Sequence, residues 1–283
     1  MKSRLITAAI ALPILIFSIV YPAYADAFPQ ADLLFVAIAA FAFGAGLFEF
    51  FTLTKKLELK ADAGIGYAGA ALLFVLFVLD APSEGPDILL AACAFCVAMV
   101  VVTQTFRFRE DFSKMLSGIG ATLIGIFYVA FLGGYIVAMR TGFDSDPGLS
   151  TKLLAFFFLT GMGSDVGAYF TGRAIGKHKM SPSISPNKTW EGFAGGILLG
   201  AGFGALSTLW FFPELPYQVS VPLGIVIAAV GVLGDLAESA MKRAAKSKDA
   251  ASVLPGHGGF LDRLDSLLFN APIVYYFAKV YFG

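Results

Sequence analysis

Residues 116–139 read LSGIGATLIGIFYVAFLGGYIVAM, an apolar run between Lys114 and Arg140 that contains no charged residue. About 20 such residues in an α-helix cross the hydrocarbon core of a bilayer. Every backbone N–H and C=O group in lipid needs a partner, which a helix provides within its own segment. The run therefore predicts a transmembrane helix.

The same pattern continues in both directions along the chain. Of the 283 residues, 58% are hydrophobic and only 14% are charged, whereas about a quarter of the residues in a soluble domain are charged. We predict an all-α, polytopic integral membrane protein with about nine transmembrane helices. The predicted helices are Leu5–Tyr21, Leu33–Leu53, Ala63–Leu79, Ile88–Phe106, Leu116–Met139, Leu153–Gly172, Phe193–Phe212, Pro222–Met241 and Phe260–Phe282.

The cationic residues alternate between the two sides of this predicted bundle. All of the 20 lysines and arginines except Arg140, Lys152 and Lys279 fall on the side of the N-terminus. Cytoplasmic loops of membrane proteins are enriched in lysine and arginine. We therefore expect the N-terminus in the cytoplasm and the C-terminus outside.

The start of the chain has a second interpretation. Basic residues, an apolar run and Ala23-Tyr24-Ala25 together resemble a cleavable secretory signal. The apolar run Leu5–Tyr21 is long for the core of such a signal, so we favour a retained transmembrane helix.

Two features inside the apolar runs are interpreted as packing. Cys93 and Cys96 form a CxxC without the polar surroundings or further ligands that a redox or zinc site needs. Glycines recur every fourth residue in the seventh helix and so share one face, which allows close approach of another helix. These glycines are Gly192, Gly196, Gly200 and Gly204.

Polar residues enter three predicted helices near their cytoplasmic ends. They are Asp165 and Tyr169 in the sixth helix, Asp235, Glu238, Ser239 and Lys242 in the eighth, and Asp262 and Asp265 in the ninth. Within each helix the spacing of three or four residues places them on one face. Charges at membrane depth are costly and usually face the protein interior or a watery cavity, so we expect these residues to line a cavity open to the cytosol.

The connections beside these polar ends are basic and rich in turn residues. The segment Gly176–Gly192 holds Lys188, two Ser-Pro pairs and Asn187, which break helices and expose backbone donors. His257 and two glycines directly precede the last helix, and a helix N-terminus attracts anions. Carboxylates next to cations and an open helix N-terminus fit a polyphosphate bound with magnesium.

The chain from Ser239 to Asp265 resembles the signature of the phosphatidate cytidylyltransferases, also called CDP-diacylglycerol synthases. The residues that carry the resemblance are Ser239, Met241-Lys242-Arg243, Lys248-Asp249, Ala251, Leu254-Pro255, His257-Gly258-Gly259-Phe260 and Asp262-Arg263-Leu264-Asp265. The stretch Ser185-Pro186-Asn187-Lys188-Thr189-Trp190-Glu191-Gly192 is similar to the same family. The first five predicted helices match it only in hydrophobic character.

The resemblance implies transfer of the cytidylyl group of CTP to phosphatidate in phospholipid biosynthesis, giving CDP-diacylglycerol and pyrophosphate. It implies dependence on Mg²⁺, with a second cation such as K⁺ also compatible, and metal ligation by Asp235 and Asp262. We add Asp265 as a further candidate ligand. With the charge pattern, the resemblance indicates a bacterial inner (cell) membrane protein whose active site faces the cytoplasm.

The candidate site residues form two groups. The expected catalytic residues are Asp235, Asp262, Lys242 and Arg263. The expected substrate-binding residues are Ser185, Asn187, Lys188, Arg243, Lys248, Asp249, His257, Gly258 and Gly259. We accordingly divide the chain into N-terminal transmembrane helices (1–150) and catalytic helices with cytoplasmic connections (151–283).

CTP, phosphatidate and membrane lipids are the expected partners, and no nucleic acid is expected. The sequence leaves the oligomeric state open, and a homodimer is compatible with it. The charges Lys55, Lys56, Lys60, Arg107 and Arg109 are interpreted as topological and His178 as solvated. Glu49 is interpreted as an interface or interhelix residue, and no functional role is assigned to it.

Two other functions stay open at this point. One is another membrane transferase that uses a nucleotide-activated lipid, although the aspartate-rich signature of the CDP-alcohol phosphotransferases does not occur in the sequence. The other is a secondary transporter with an ion site near the bilayer midplane. The polar clusters predicted here lie at one surface, which favours the enzyme.

Overall fold

The structure is a computed structural model that describes residues 12–21, 32–108, 112–143, 147–247 and 259–283. Its α-helices are α1 (12–20), α2 (Leu33–Lys56), α3 (Ala63–Val78), α4 (Ala81–Glu84), α5 (Pro86–Arg107), α6 (Met115–Gly125), α7 (Leu132–Thr141), α8 (Pro147–Ile175), α9 (Trp190–Trp210), α10 (Tyr217–Ala244) and α11 (Leu261–Phe282). A 3₁₀ turn, Phe112–Lys114, precedes α6, and a π-helical turn, Ile126–Phe131, joins α6 to α7. The strands β1 (Lys179–Ser181) and β2 (Ser185–Thr189) pair antiparallel between α8 and α9.

Six helical stretches of the described chain are long and apolar enough to cross a membrane. They are Leu33–Lys56, Pro86–Arg107, Phe112–Thr141, Gly148–Ile175, Trp190–Trp210 and Tyr217–Ala244, and α3 is a shorter apolar helix. The prediction of an all-α polytopic membrane protein is therefore confirmed, with one small hairpin added. The total of nine transmembrane helices and the sidedness of the termini stay predictions.

The chain forms two compact units, each described here by itself. The first contains Met1–Ser150 and Ala244–Leu264, and the second contains Thr151–Arg243 and Asp265–Gly283. The first turn of α11 thus belongs to the first unit and the rest of α11 to the second. The functional division into 1–150 and 151–283 stays a prediction.

Aromatic side chains fill the core of the first unit. Phe77 of α3 is fully buried and meets Phe131 and Tyr135 edge-to-face, with ring centroids 5.8 and 4.9 Å apart. Gly134 leaves room for the Phe77 ring, which a Cβ at that position would overlap. Cys96 is also fully buried, and both cysteines are free thiols. Cys93 is half-buried, and the two cysteines are small apolar residues of a helix, as predicted.

Small residues bring the helices of the second unit close together. The four predicted glycines of α9 are buried, but they serve two neighbours rather than one. A Cβ on Gly192 would lie 2.8 Å from the carbonyl oxygen of Ala168 in α8, and one on Gly200 would lie 2.7 Å from that of Gly224 in α10. A glycine also allows close packing between α10 and α11, where Gly234 adjoins the carbonyl oxygen of Asp265. Glycine at these positions allows the helix backbones to touch.

Candidate active site

The turn-rich segment between α8 and α9 forms a hairpin that is tied to the first turn of α9. The carboxylate of Glu191 accepts hydrogen bonds from the N–H groups of Lys177 and His178, at 3.1 and 3.2 Å, and lies 2.6 Å from Nδ1 of His178. Thr189 caps α9, because its Oγ1 accepts the N–H of Gly192 at 3.1 Å. His178 is exposed, and its contact with Glu191 is structural. These contacts fix the hairpin to the first turn of α9.

The hairpin also binds the end of α10. Lys188 Nζ lies 2.8 Å from Oδ2 of Asp235 and 3.5 Å from the carbonyl oxygen of Val232. Arg243 Nε donates to the carbonyl oxygen of Ile184 at 3.1 Å. These contacts bring predicted substrate-binding residues of β2 onto the helix that carries the predicted metal ligand Asp235. The Asp235 side chain is 41% exposed, so its carboxylate remains open to a ligand.

One face of α10 carries a ladder of polar contacts, as its spacing predicts. Ser239 Oγ donates to Oδ1 of Asp235 at 3.2 Å, and Lys242 Nζ lies 2.6 Å from Oε2 of Glu238. Glu238 is fully buried. A buried carboxylate is strongly unfavourable without a paired cation, so Lys242 neutralises Glu238 in addition to any contact with substrate.

The start of α11 carries the next part of the predicted signature. The N–H of Gly259 donates to Oδ2 of Asp262 at 3.2 Å, so the aspartate reaches back over the turn that leads into its helix. The N–H of Leu261, the first residue of α11, donates to Oε2 of Glu49 at 2.8 Å. A Cβ on Gly259 would overlap the carboxylate of Glu49. The backbone at Gly259 therefore lies close to a protein carboxylate, whereas the sequence suggested close approach of a phosphate.

Glu49 is an interhelix residue, as the sequence interpretation expected, but that interpretation assigned it no functional role. It is fully buried in α2, and its contact with α11 spans 212 positions of the chain. A signal was present in the sequence, because an acidic residue inside an apolar span is a functional candidate by default. Lys56, interpreted as topological, also donates to Ser247 Oγ at 3.1 Å, just before the signature residues Lys248 and Asp249.

The remaining predicted site residues occupy varied environments. Ser185 is partly exposed, while Asn187 and Arg263 are exposed. Asp265 is buried, and its Oδ1 accepts the N–H of Ser266 at 2.6 Å. The predictions for Lys248, Asp249, His257 and Gly258 lie outside the described residues.

Metal ligation by two or three aspartates stays a prediction. Asp262 belongs to the first unit, and Asp235 and Asp265 belong to the second. Within the part of the chain that the structure describes, no group of three or more His, Cys, Asp or Glu side chains is suited to hold a metal ion.

Comparison with known proteins places this geometry in a family. The model of the cytidylyltransferase family matches residues 2–281. The chain is 32% identical over 290 residues to the phosphatidate cytidylyltransferase of Bacillus subtilis (strain 168), which covers 99% of this chain and 98% of that protein. It is also 32% identical over 246 residues to the phosphatidate cytidylyltransferase of Brucella suis biovar 1 (strain 1330), covering 87% and 86% of the two chains.

A cyanobacterial relative matches a shorter region at higher identity. The phosphatidate cytidylyltransferase of Synechocystis sp. (strain PCC 6803) is 39% identical over 187 residues, covering 57% of this chain and 62% of that protein. The family model and the Bacillus relative, by contrast, include the N-terminal helices, where the signature residues are absent. The chain belongs to the cytidylyltransferase family.

Proposed function

We propose that this protein transfers the cytidylyl group of CTP to phosphatidate, giving CDP-diacylglycerol and pyrophosphate for phospholipid synthesis. The observation that carries the proposal is the match, over nearly the full length of both chains, to a protein named phosphatidate cytidylyltransferase. The enzyme is therefore a nucleotidyltransferase that works on one soluble and one membrane-bound substrate.

The reaction joins two anions. A phosphate oxygen of phosphatidate attacks the α-phosphorus of CTP, a new P–O bond forms, and the bond from that phosphorus to the oxygen bridging the β-phosphate breaks. The bonding electron pair leaves with pyrophosphate. Because the nucleophile is already an anion, the site needs no strong general base. Its task is to position both phosphates in line and to offset their repulsion, as in other phosphoryl transfers.

The donor chemistry of the site fits magnesium. Carboxylate oxygens are ligands that Mg²⁺ prefers, and the ion is usually held by one or two carboxylates together with substrate phosphates. Asp235 is a half-exposed carboxylate that already holds a cation, the ammonium of Lys188 at 2.8 Å. We assign Asp235 and Asp262 as the residues that hold Mg²⁺, which when bound stabilises charge on the α-phosphate; a second cation such as K⁺ is compatible with the site.

Asp265 has a supporting part in this proposal. Its carboxylate is buried and accepts the N–H of the next residue, Ser266. That contact orients the side chain along its own helix. We keep Asp265 in the proposal as a third candidate ligand or as a support for the other two.

The cations of the second unit balance charge before and during the reaction. Lys188 neutralises Asp235 and can turn its ammonium to a phosphate oxygen when nucleotide binds, because lysine has a flexible stem. Lys242 has three donors, and its ammonium lies 2.6 Å from Glu238. Together with Arg243, these residues form a basic surface for the triphosphate.

The other predicted residues complete the two substrate sites. We assign Arg263 and Lys248 to the lipid phosphate or the β- and γ-phosphates, with Asp249 orienting Lys248. Backbone and side-chain donors of Ser185 and Asn187 suit the nucleotide. We assign His257 and Gly258, which lie just before α11 in the sequence, to substrate binding as well. The acyl chains stay in the bilayer.

The setting of the enzyme follows from the distribution of cations. We propose nine transmembrane helices in a bacterial inner membrane, with the N-terminus in the cytoplasm and the C-terminus outside. The active site then faces the cytosol, where CTP is dissolved. A homodimer is our working assembly.

The test uses the full-length protein purified in detergent. CTP labelled in the cytosine ring is incubated with and without phosphatidate, and the products CDP-diacylglycerol and pyrophosphate are both measured. We expect equal amounts of the two products, and only when the lipid is present. Pyrophosphate release without lipid would indicate a CTP hydrolase instead, and no release under any condition would overturn the proposal.

Metal dependence is tested in the same assay. Removal of divalent cations with EDTA is expected to abolish formation of CDP-diacylglycerol, and excess Mg²⁺ is expected to restore it. Full activity after removal of divalent cations would overturn the assignment of Mg²⁺ while leaving the transfer reaction itself in place.

A further inference from the structure

One face of α2 runs along the beginning of the last helix within the first unit. Phe41 meets Phe260 edge-to-face, with ring centroids 5.3 Å apart. Gly46 is buried, and a Cβ there would lie 3.4 Å from Cδ1 of Leu264. Glu49, one turn further along, accepts the N–H of Leu261. The face therefore contacts the residues before, at and after the start of α11.

The start of α11 lacks a cap of its own. The first N–H groups of a helix have no partner inside the helix, and a Ser, Thr, Asp or Asn at the preceding position normally accepts one of them. Here that position is Phe260, whose side chain has no acceptor. Glu49 supplies the missing acceptor from another helix, at 2.8 Å from the N–H of Leu261.

The position of Glu49 is also favourable for its charge. A fully buried carboxylate is costly unless it is hydrogen-bonded or balanced by positive charge. The N-terminus of α11 provides both a donor and the positive end of the helix dipole. A Cβ at position 259 would displace the carboxylate of Glu49, whereas Gly259 lets that carboxylate lie against the turn. The two residues therefore fit each other.

We propose that Glu49 is a positioning residue of the catalytic centre, holding the turn from Gly259 to Asp262 in its working geometry. Glu49 fixes the N–H of Leu261, and Asp262 accepts the N–H of Gly259 in the same turn, at 3.2 Å. A displaced first turn would move the carboxylate of Asp262. The inference rests on the proposed function for its effect on catalysis, but the cap itself is independent of it.

The experiment compares substitutions of Glu49 that change the length of its side chain and its charge separately. Glu49→Gln keeps the length and an acceptor oxygen but removes the charge, Glu49→Asp keeps the charge but is one methylene shorter, and Glu49→Ala removes both. Thr54→Val is the matched control, because Thr54 is buried in the same helix and its side chain donates to the carbonyl oxygen of Phe51, within its own helix. Each protein is studied full-length in detergent.

Hydrogen–deuterium exchange and kinetics are the two readouts. In Glu49→Ala and Glu49→Asp we expect the Leu261 amide to exchange about 10- to 100-fold faster, and the Mg²⁺ concentration for half-maximal activity to rise by a similar factor. The KM for phosphatidate and the exchange of α9 amides are expected to stay at the wild-type level. Glu49→Gln is expected to retain most of the protection of the Leu261 amide from exchange. Thr54→Val is expected to match the wild type in both measurements.

Three outcomes would overturn the proposal. Wild-type exchange at Leu261 in Glu49→Ala would remove the cap. Faster exchange across all helices would make Glu49 a general stability residue. Full activity in Glu49→Asp with strong loss in Glu49→Gln would show that charge, rather than reach, is what matters. If the wild-type protein makes no CDP-diacylglycerol, the proposed function fails, while the exchange data still decide whether Glu49 caps α11.

Discussion

At the scale of single residues, Asp262 is both a hydrogen-bond acceptor in the turn before α11 and a proposed ligand of Mg²⁺. It sits in the first turn of α11 and accepts the N–H of Gly259. Asp262→Asn keeps the size and the acceptor oxygen but loses the negative charge. We expect CDP-diacylglycerol formation to fall at least about 100-fold, because metal stabilisation of transition-state charge amounts to several kcal/mol. The free energy of unfolding is expected to fall only by the lost interaction with the helix dipole, about 0.3–1 kcal/mol.

Asp87→Asn is the matched control for that substitution. Asp87 also lies in the first turn of a helix, α5, and is exposed. Its loss removes only an interaction with the helix dipole, of about 0.3–1 kcal/mol. Near-normal turnover by the Asp262→Asn enzyme would remove Asp262 from the proposed set of metal ligands.

Lys188 is expected to act through its charge. Lys188→Gln leaves Asp235 without its nearest cation and takes one positive charge away from the proposed triphosphate surface. We expect kcat/KM for CTP to fall about tenfold or more, as for loss of a charge-assisted hydrogen bond. Steady-state kinetics with CTP varied at saturating lipid measure this value.

The ion pair between Lys152 and Glu214 is a control for Lys188→Gln, because its length is close to that of the pair between Lys188 and Asp235. Its atoms are 2.7 Å apart, and the hydrogen bond from Lys152 lowers the pKa of Glu214 below its usual range. Lys152→Gln is expected to leave kcat/KM unchanged. An equal loss in both variants would show that any broken ion pair in this unit disturbs activity.

Arg107 illustrates a charge whose contacts are structural. Its Nη1 lies 3.2 Å from Oδ2 of Asp62, and Asp62 in turn caps α3 by accepting the N–H of Ile65 at 3.1 Å. Arg107→Gln should leave activity intact and lower the free energy of unfolding by no more than about 1 kcal/mol, since exposed pairs contribute little. A severe loss of turnover in a folded Arg107→Gln protein would bring this connection into the active site.

At the scale of secondary-structure elements, the glycine face of α9 decides how closely three helices approach. Gly200→Ala places a Cβ 2.7 Å from the carbonyl oxygen of Gly224 and 2.9 Å from the Cβ of Ala228. Overpacking of this kind costs about 1–3 kcal/mol. We expect a lower thermal unfolding midpoint in detergent, measured by intrinsic fluorescence.

Gly202 on the same helix provides the control. A Cβ at Gly202 meets no atom within 4 Å, so Gly202→Ala should be neutral or slightly stabilising because alanine favours a helix. Equal destabilisation by both substitutions would mean that glycine flexibility, rather than close packing, is required in α9.

The elements also show what a helical pattern can and cannot predict. The four-residue repeat of glycines predicted a close contact along α9, and that contact is present. It did not reveal that the face is divided between α8 and α10, because periodicity describes one helix and carries no information on its neighbours. The Ser-Pro pairs similarly predicted a break in the helix but not the hairpin of β1 and β2.

At the scale of the whole molecule, the orientation in the membrane can be measured directly. In a background without the two native cysteines, we expect Lys179→Cys to be protected from an impermeant maleimide in intact spheroplasts and to react in inverted vesicles. Pro213→Cys is expected to behave in the opposite way. Both positions are exposed. The same labelling for both variants, or the reversed result, would contradict the proposed sidedness.

The sequence by itself determined the class of this protein and most of its chemistry. Long apolar runs allow only helices in a bilayer, and the signature residues from Ser239 to Asp265 named the family that the comparisons confirmed. Both conclusions depend on local composition and spacing, which a chain carries before it folds.

Only the tertiary structure decided which distant side chains meet. The pairing of Lys188 with Asp235 joins residues 47 positions apart, and the capping of Leu261 by Glu49 spans 212. Neither partner could be named from the sequence, because the geometry of helix packing, rather than spacing along the chain, determines which charge receives a buried donor. The sequence shows only a lone glutamate in an apolar helix, and the fold of the first unit shows that its carboxylate accepts the N–H of Leu261.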